Sequence, residues 1–263
     1  MTVLPRTVGS VNWIGMRTLL RRELRRYVID AWETIAAPAF SALIYFLVFA
    51  FALGDARGTS QGDAVLAFLL PGLVMLSILL RAAETTSFSL LFDKIEGVIS
   101  DILGAPLSAA ELTACYALAG TAAGVVTGGV TYAAALLIWP VAPVHPWMVV
   151  LFGGLGSLTL SLFGILIGLW GEKWDHLAAA FAFFLMPLIF LSGLFAPVDL
   201  LPPLVAGLVR LNPIFHAIDG FRYGFLGTGD QPPLRSAAVL VGSSAVLWFA
   251  CNHLIRTGYK LRP

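Results

Sequence analysis

Residues 112–171 read LTACYALAGTAAGVVTGGVTYAAALLIWPVAPVHPWMVVLFGGLGSLTLSLFGILIGLWG, without one Asp, Glu, Lys or Arg. A helix crosses the roughly 30 Å hydrocarbon core of a bilayer with about 20 apolar residues. The stretch is too long for one such helix, and Trp139-Pro140 through Pro146-Trp147 interrupts it. It is therefore expected to make two spans, Leu112–Ile138 and Met148–Trp170, joined by a short loop with aromatic interface anchors. The same criterion applied outward gives spans at Ile35–Leu53, Ala64–Ala83, Leu177–Phe195 and Ser236–Ile255. Composition agrees. Of 263 residues, 59% are hydrophobic and only 12% charged, and mean hydropathy is +0.88. Soluble domains carry about 25% charged residues. The expected fold class is an all-α integral membrane protein with six transmembrane helices.

The formal net charge of +1 gives no reason to expect a nucleic-acid partner. Cys115 and Cys251 both lie in apolar runs, which excludes a CxxC site or a disulfide framework. The first 34 residues mix Arg with apolar residues, so no signal peptide is expected.

Lys and Arg set the orientation. Arg6, Arg17, Arg21, Arg22, Arg25, Arg26, Arg81, Lys94, Lys173, Arg256, Lys260 and Arg262 fall on one side, against Arg57, Arg210, Arg222 and Arg235. The positive-inside rule puts both termini in the cytoplasm, which requires an even number of spans. Between the fifth and sixth spans, Leu200–Leu211 and Ile214–Leu226 are apolar but too short to cross, and Asn212-Pro213 divides them. They are read as a re-entrant hairpin in the outer leaflet. Pro202-Pro203 opens its first arm, and Ile214, Ile218, Phe221 and Phe225 share one face of its second. This divides the chain into a cytoplasmic N-terminus at 1–34, a transmembrane domain at 35–256 and a cytoplasmic tail at 257–263.

Two segments outside the spans are amphipathic. In Trp13–Trp32, Met16, Leu20, Leu24 and Tyr27 share an arc opposite Arg17, Arg21, Arg22, Arg25 and Arg26, the pattern of a helix lying in the cytoplasmic interface. The connection Glu84–Glu111 is acidic, and Phe92, Ile95, Ile99 and Ile102 recur in it at helical spacing before Pro106. Its apolar side calls either for a partner or for packing on the protein's own base. Within the spans, Gly120, Gly124, Gly128, Gly164 and Gly168 stand four residues apart, as close helix contact in lipid requires. Pro38, Pro71 and Pro187 kink or start their helices.

Much chemistry is absent. No GxxxxGK[ST] phosphate loop occurs. The nearest approach to a protease nucleophile, Phe190-Leu191-Ser192-Gly193, lacks the first glycine, and His145, His176, His216 and His253 are too scattered for a metal site. No expected span holds an ionisable residue at its centre, as an ion-coupled transporter would need. Energy must then come from another chain.

The chain resembles the membrane subunits of ABC-2 type exporters, most of all the bacterial drug- and glycoconjugate-export branch. The resemblance rests on Phe68-Leu69-Leu70-Pro71-Gly72-Leu73, Lys94-Ile95-Glu96-Gly97 and Leu103-Gly104-Ala105-Pro106-Leu107-Ser108. It continues through Leu201-Pro202-Pro203, Leu211-Asn212-Pro213-Ile214 and Gly220-Phe221-Arg222-Tyr223-Gly224-Phe225-Leu226-Gly227. The chain departs from many relatives in reading Glu96-Gly97-Val98-Ile99, where a second acidic residue is common. The resemblance implies an interfacial connecting helix at Trp13–Trp32 and a coupling helix at Phe92–Leu103, with Phe92, Asp93, Lys94, Ile95, Glu96 and Ile99 meeting the ATPase. It implies an outer hairpin marked by Pro202, Asn212, Pro213, Phe221, Arg222 and Tyr223. Two copies would pair with a cytosolic ATPase dimer that binds ATP and Mg; this chain itself would hold no cofactor and no metal. The pathway, lined from the first, second and fifth spans, would use Phe40, Tyr45, Phe184 and Phe190 to export an amphipathic substrate across the bacterial cytoplasmic membrane. The alternatives from other classes are a self-sufficient ion-coupled transporter and a scaffold that only recruits a cytosolic partner.

Overall fold

The computed structural model describes residues 11–29, 32–52, 60–194 and 198–261, and no strand occurs among them. The expected ends Leu53 and Phe195, and Arg6, Arg57 and Arg262, lie outside the described residues. The chain forms α1 (Trp13–Ile29), a π-turn (Trp32–Ala36) leading into α2 (Ala37–Ala52), α3 (Ser60–Ile95), α4 (Ile99–Gly104), α5 (Ala109–Leu136) and α6 (Pro146–Trp170). Then follow α7 (Trp174–Ala180), a π-turn (Phe181–Leu185), α8 (Met186–Phe190), α9 (Pro203–Val209), α10 (Pro213–Leu226) and α11 (Pro233–Thr257).

Among the described residues, four helices are long and apolar enough to cross a membrane: the Ala64–Ile95 stretch of α3, α5, α6 and α11. A fifth arises if α1 and Trp32–Val48, which differ in direction by 77°, are taken as one bent span. The expected span at Leu177–Phe195 is instead an apolar run over Trp174–Phe190, below the length of the other four. It stops where Leu191 N–H bonds back to Pro187 O and Gly193 takes a φ of +67°.

The expected second span is also corrected, by its length. No glycine or proline follows Gly72 until Gly97, and α3 runs unbroken for 36 residues with Pro71 inside it. At 1.5 Å per residue that is about 54 Å, well beyond a hydrocarbon core of about 30 Å. Arg81, Glu84 and Asp93 therefore sit within a continuous helix, not in a loop. Thr86 Oγ1 bonds across to Ser161 O at 2.9 Å and tacks this extension to α6.

The core is the seam where α3 meets α5 and α6, and the glycine rows make it. A Cβ at Gly164 would stand 2.3 Å from Ala83 O, and one at Gly124 2.7 Å from Ile78 O. Backbone thus lies directly against backbone, the contact that holds helices together in lipid. Around it pack Leu66, Leu70, Met75, Leu79, Phe152 and the expected face of α10, with Ile214, Ile218, Phe221 and Phe225 all buried.

The bundle has two distinct ends. At one, the loop between α5 and α6 donates Val144 N–H to Phe225 O and His145 N–H to Gly224 O, beside the end of α10. At the other, Asn12 Nδ2 bonds Pro106 O and Lys260 Nζ bonds Trp170 O. The start of α1, the turn after α4 and the turn at Lys260–Leu261 lie there.

A Gly164→Ala substitution is expected to cost about 1–3 kcal/mol, because the added methyl meets backbone that cannot step aside. Gly154→Ala, where a Cβ meets nothing within 4 Å, is expected to be neutral or slightly stabilising. Thermal unfolding of the two purified variants in detergent checks both.

Candidate functional site where α1 meets the end of α3

Helix α1 is capped by Asn12, whose Oδ1 accepts Gly15 N–H at 3.0 Å, and Glu111 Oε1 accepts Asn12 N–H at 2.6 Å. Glu111 also closes the capping box with Ser108 at the start of α5. From this anchor α1 lies along α5. The residues it buries are Leu19, Glu23 and Tyr27, while Met16, Leu20 and Leu24 of the expected apolar arc are only partly covered. Tyr27 Oη bonds Thr127 Oγ1 at 2.8 Å. Arg17, Arg21 and Arg25 face outward; Arg22 and Arg26 turn in.

Those two arginines meet a pair of buried carboxylates. Asp93, only 2% exposed, accepts from Arg22 Nη2 at 2.5 Å and from Tyr116 Oη at 2.8 Å, with Arg26 Nη1 at 3.6 Å. Glu23 accepts from Arg22 Nε at 3.0 Å and from Ser89 Oγ. Arg26 bonds Ser89 Oγ at 3.0 Å and lies 4.1 Å from the centre of the Phe92 ring. Burial works against the Arg22 charge, but Glu23 and Asp93 outweigh it and raise its pKa. Two acids and two arginines cancel, so the cluster can be buried without a stranded charge. It joins α1, α3 and α5 into one unit.

Beyond Ile95 the helix turns. Gly97 has a φ of +74°, a conformation glycine takes without cost, and this breaks the single helix expected over Phe92–Leu103 into the end of α3 and the separate α4. The expected coupling residues divide accordingly. Phe92, Ile95 and Glu96 are exposed, with Ser100 and Asp101 beside them. Ile99 and Ile102 are buried against the chain's own base with Leu19, Leu112 and Tyr116. Asp93 is spent in the charge cluster. Lys94 is spent too, since its Nζ bonds the carbonyls of Gly168 and Leu169 at 3.2 and 2.9 Å, and that of Gly171, closing the C-terminus of α6.

The hairpin residues behave as caps and anchors. Pro202 precedes α9, Pro213 starts α10, and Asn212 accepts Ile214 N–H at 3.0 Å while donating to Leu188 O at 2.6 Å. Tyr223 stacks on His145. Phe221 and Arg222 are buried. The Arg222 guanidinium lies 3.6 Å from the Phe68 ring centre and donates to the carbonyls of Phe68, Gly193 and Leu194 at 3.2–3.4 Å. Phe40, Tyr45, Phe184 and Phe190 are all exposed, at 64%, 55%, 63% and 61%, on α2 and on the α7–α8 run.

Reading the sequence by periodicity missed Glu23, Ser89 and Tyr116. Glu23 did carry a signal, as the lone acid among the five arginines of α1. Nothing in the sequence marks Tyr116.

The family described as ABC-2 type transporter matches residues 15–226. The chain is 33% identical over 251 residues to the inner membrane transport permease YadH of Escherichia coli (strain K12), covering 95% of this chain and 98% of YadH. It is 28% identical over 239 residues to Nodulation protein J of Rhizobium leguminosarum bv. trifolii, covering 86% of this chain and 85% of that protein. Nodulation protein J of Rhizobium meliloti (strain 1021) is 25% identical over 262 residues, with 93% of each chain covered.

Asp93→Ala is expected to cost about 1–3 kcal/mol, below the usual figure for breaking a buried pair because Arg22 is 37% exposed and keeps Glu23. Glu96→Ala, on the exposed turn, is expected to leave stability unchanged. A double-mutant cycle on Arg22 and Asp93, read by thermal unfolding, measures the coupling.

Proposed function

The chain belongs to the ABC-2 type transporter family, and from that premise we propose that it is the permease subunit of an ATP-driven exporter. A separate cytosolic ATPase dimer binds ATP and Mg, and two copies of this chain enclose the route of an amphipathic substrate. The family match and the inner-membrane permease relative support a multi-pass transport component of the inner membrane.

Six crossings follow if Trp32–Ala52, α3, α5, α6, the Trp174–Phe190 run and α11 each traverse the bilayer, with α9 and α10 dipping into the outer leaflet. Both termini then lie in the cytoplasm, consistent with the start of α1 and the Lys260–Leu261 turn lying at one end of the bundle. The division into an N-terminal segment at 1–34, a transmembrane domain at 35–256 and a tail at 257–263 follows the same plan.

One observation carries the reading. Helix α3 passes beyond any bilayer thickness and ends in an exposed turn, and the charge cluster locks its last turns to α1. A partner pressing on Phe92, Ile95, Glu96 and Asp101 would move α3 and α1 together. ATP-bound and ATP-free partners need only differ in how they seat that turn to favour one arrangement of the permease over the other. The same helix reaches the hairpin, where Arg222 sits on Phe68. Phe68 and Phe92 are 24 positions apart on one helix, about 36 Å.

Paired Glu96→Lys and Asp101→Lys substitutions are expected to weaken copurification of the ATPase about tenfold or more and to reduce transport, without loss of folding. Unchanged association and turnover would overturn the docking assignment. Arg222→Gln is expected to keep ATPase association and nucleotide hydrolysis while transport falls, measured with reconstituted vesicles.

A further inference from the structure

Helix α1 and the turn that ends α3 enclose an open groove of about 790 Å³, whose α1 wall carries Arg17, Arg21, Arg22, Arg25 and Arg26. Asp93 and Glu23 answer the charges of Arg22 and Arg26. Among the described residues, no carboxylate pairs with Arg17, Arg21 or Arg25, and all three are exposed. Asp93 lines the groove but is 2% exposed and turned to Arg22; Glu96 and Asp101 of the neighbouring turn do not line it. The groove thus presents three uncompensated positive charges to an anion.

Spacing selects among anions. Arg17, Arg21 and Arg25 follow at four-residue intervals, each a rise of about 6 Å, so the row is about 12 Å long. One phosphate cannot meet all of it, whereas two phosphates on a short linker can. The flanks of the row select between a soluble anion and a lipid. On the same side of α1, Trp13 and Ile14 precede the arginines and Val28 and Ile29 follow them, all exposed. A free diphosphate or a run of carboxylates would leave these apolar side chains in water. A phospholipid lays acyl chains against them, with the indole at headgroup level. Basic pockets at the cytoplasmic face of membrane proteins take such headgroups. We propose that the groove holds a resident phospholipid with two phosphates, of the cardiolipin class, its phosphates set along Arg17, Arg21 and Arg25. Phe92 and Val98 form the opposite wall, so the bound headgroup bridges α1 to the turn that ends α3. The site requires only that α1 lie at a membrane surface and is independent of the export reading.

The full chain, delipidated in mild detergent, is titrated with tetraoleoyl cardiolipin or with dioleoyl phosphatidylglycerol at equal total phosphate, and bound lipid is counted by native mass spectrometry. Cardiolipin is expected to bind at least tenfold more tightly. Arg21→Gln and Arg25→Gln are each expected to weaken it about fivefold, the contribution of one arginine at an anionic surface. Arg256→Gln, an exposed arginine outside the groove, is expected to change nothing. Equal binding of phosphatidylglycerol, affinity unmoved in both groove variants, or an equal loss in Arg256→Gln overturns the site. Displacement of cardiolipin by an equal concentration of pyrophosphate or octaglutamate would give the groove to a soluble anion or an acidic protein segment, and overturns the lipid.

Discussion

Everything in this bundle is referred to the seam where α3 lies against α5 and α6. In lipid a leucine gains nothing by moving from acyl chains to another leucine, so apolar burial cannot choose which helices touch. Contact of backbone with backbone can. A Cβ at Gly120, Gly124, Gly164 or Gly168 would meet an α3 carbonyl oxygen at 3.0 Å or less. At these four positions no side-chain movement would clear the backbone to admit a larger residue. This fixes the depth and direction of α3, and the position of both its ends follows.

At one end the fixing is ionic. Glu23 and Asp93 would each be costly to bury alone, but with Arg22 and Arg26 they form a neutral set braced by Ser89 and Tyr116. The arginines of α1 thus have two employments. Arg17, Arg21 and Arg25 face out, where a phosphate-rich interface would suit them, and Arg22 and Arg26 tie the helix to α3. A helix held only by its outer arginines would float on the membrane. The inner pair makes it part of the bundle.

The helices were legible in the sequence wherever hydropathy and helix-breaking residues agreed. The spans at Leu112–Ile138, Met148–Trp170 and Ser236–Ile255 fall within a few residues of α5, α6 and α11, and the apolar face of α10 was read correctly from its spacing. The far end of α3 was not, because Glu84 looked like the end of a span. Hydropathy marks where a helix leaves lipid, not where it stops, and only Gly97 could have placed the stop. The site was legible in outline alone. Periodicity located an amphipathic segment at Phe92–Ile102, but which side of it would be covered depended on α1. Asp93 appeared free to meet a partner because its partners lie 71 and 67 positions upstream, at Arg22 and Arg26. Pairing across such separations leaves no local trace.

Helix α3 is tied near one end by the charge cluster and near the other by Arg222. Pro71 cannot donate the hydrogen bond that would close on the carbonyl four residues back, and its ring crowds that turn, so α3 is weakest there. Gly72 follows, and a Cβ on it would stand 3.1 Å from Leu194 O and 3.4 Å from Arg222 Nη2. The softest step of the rod therefore lies against the turn after α8 and beneath the arginine of α10. Arg222 fills this place with bonds to Phe68, Gly193 and Leu194, three carbonyls from two segments. A shift of α3 at Pro71 would trade among those acceptors without stranding the guanidinium. The Phe68–Leu73 stretch thus combines a weakened helix with a close approach, and the buried Arg222 of α10 closes over it.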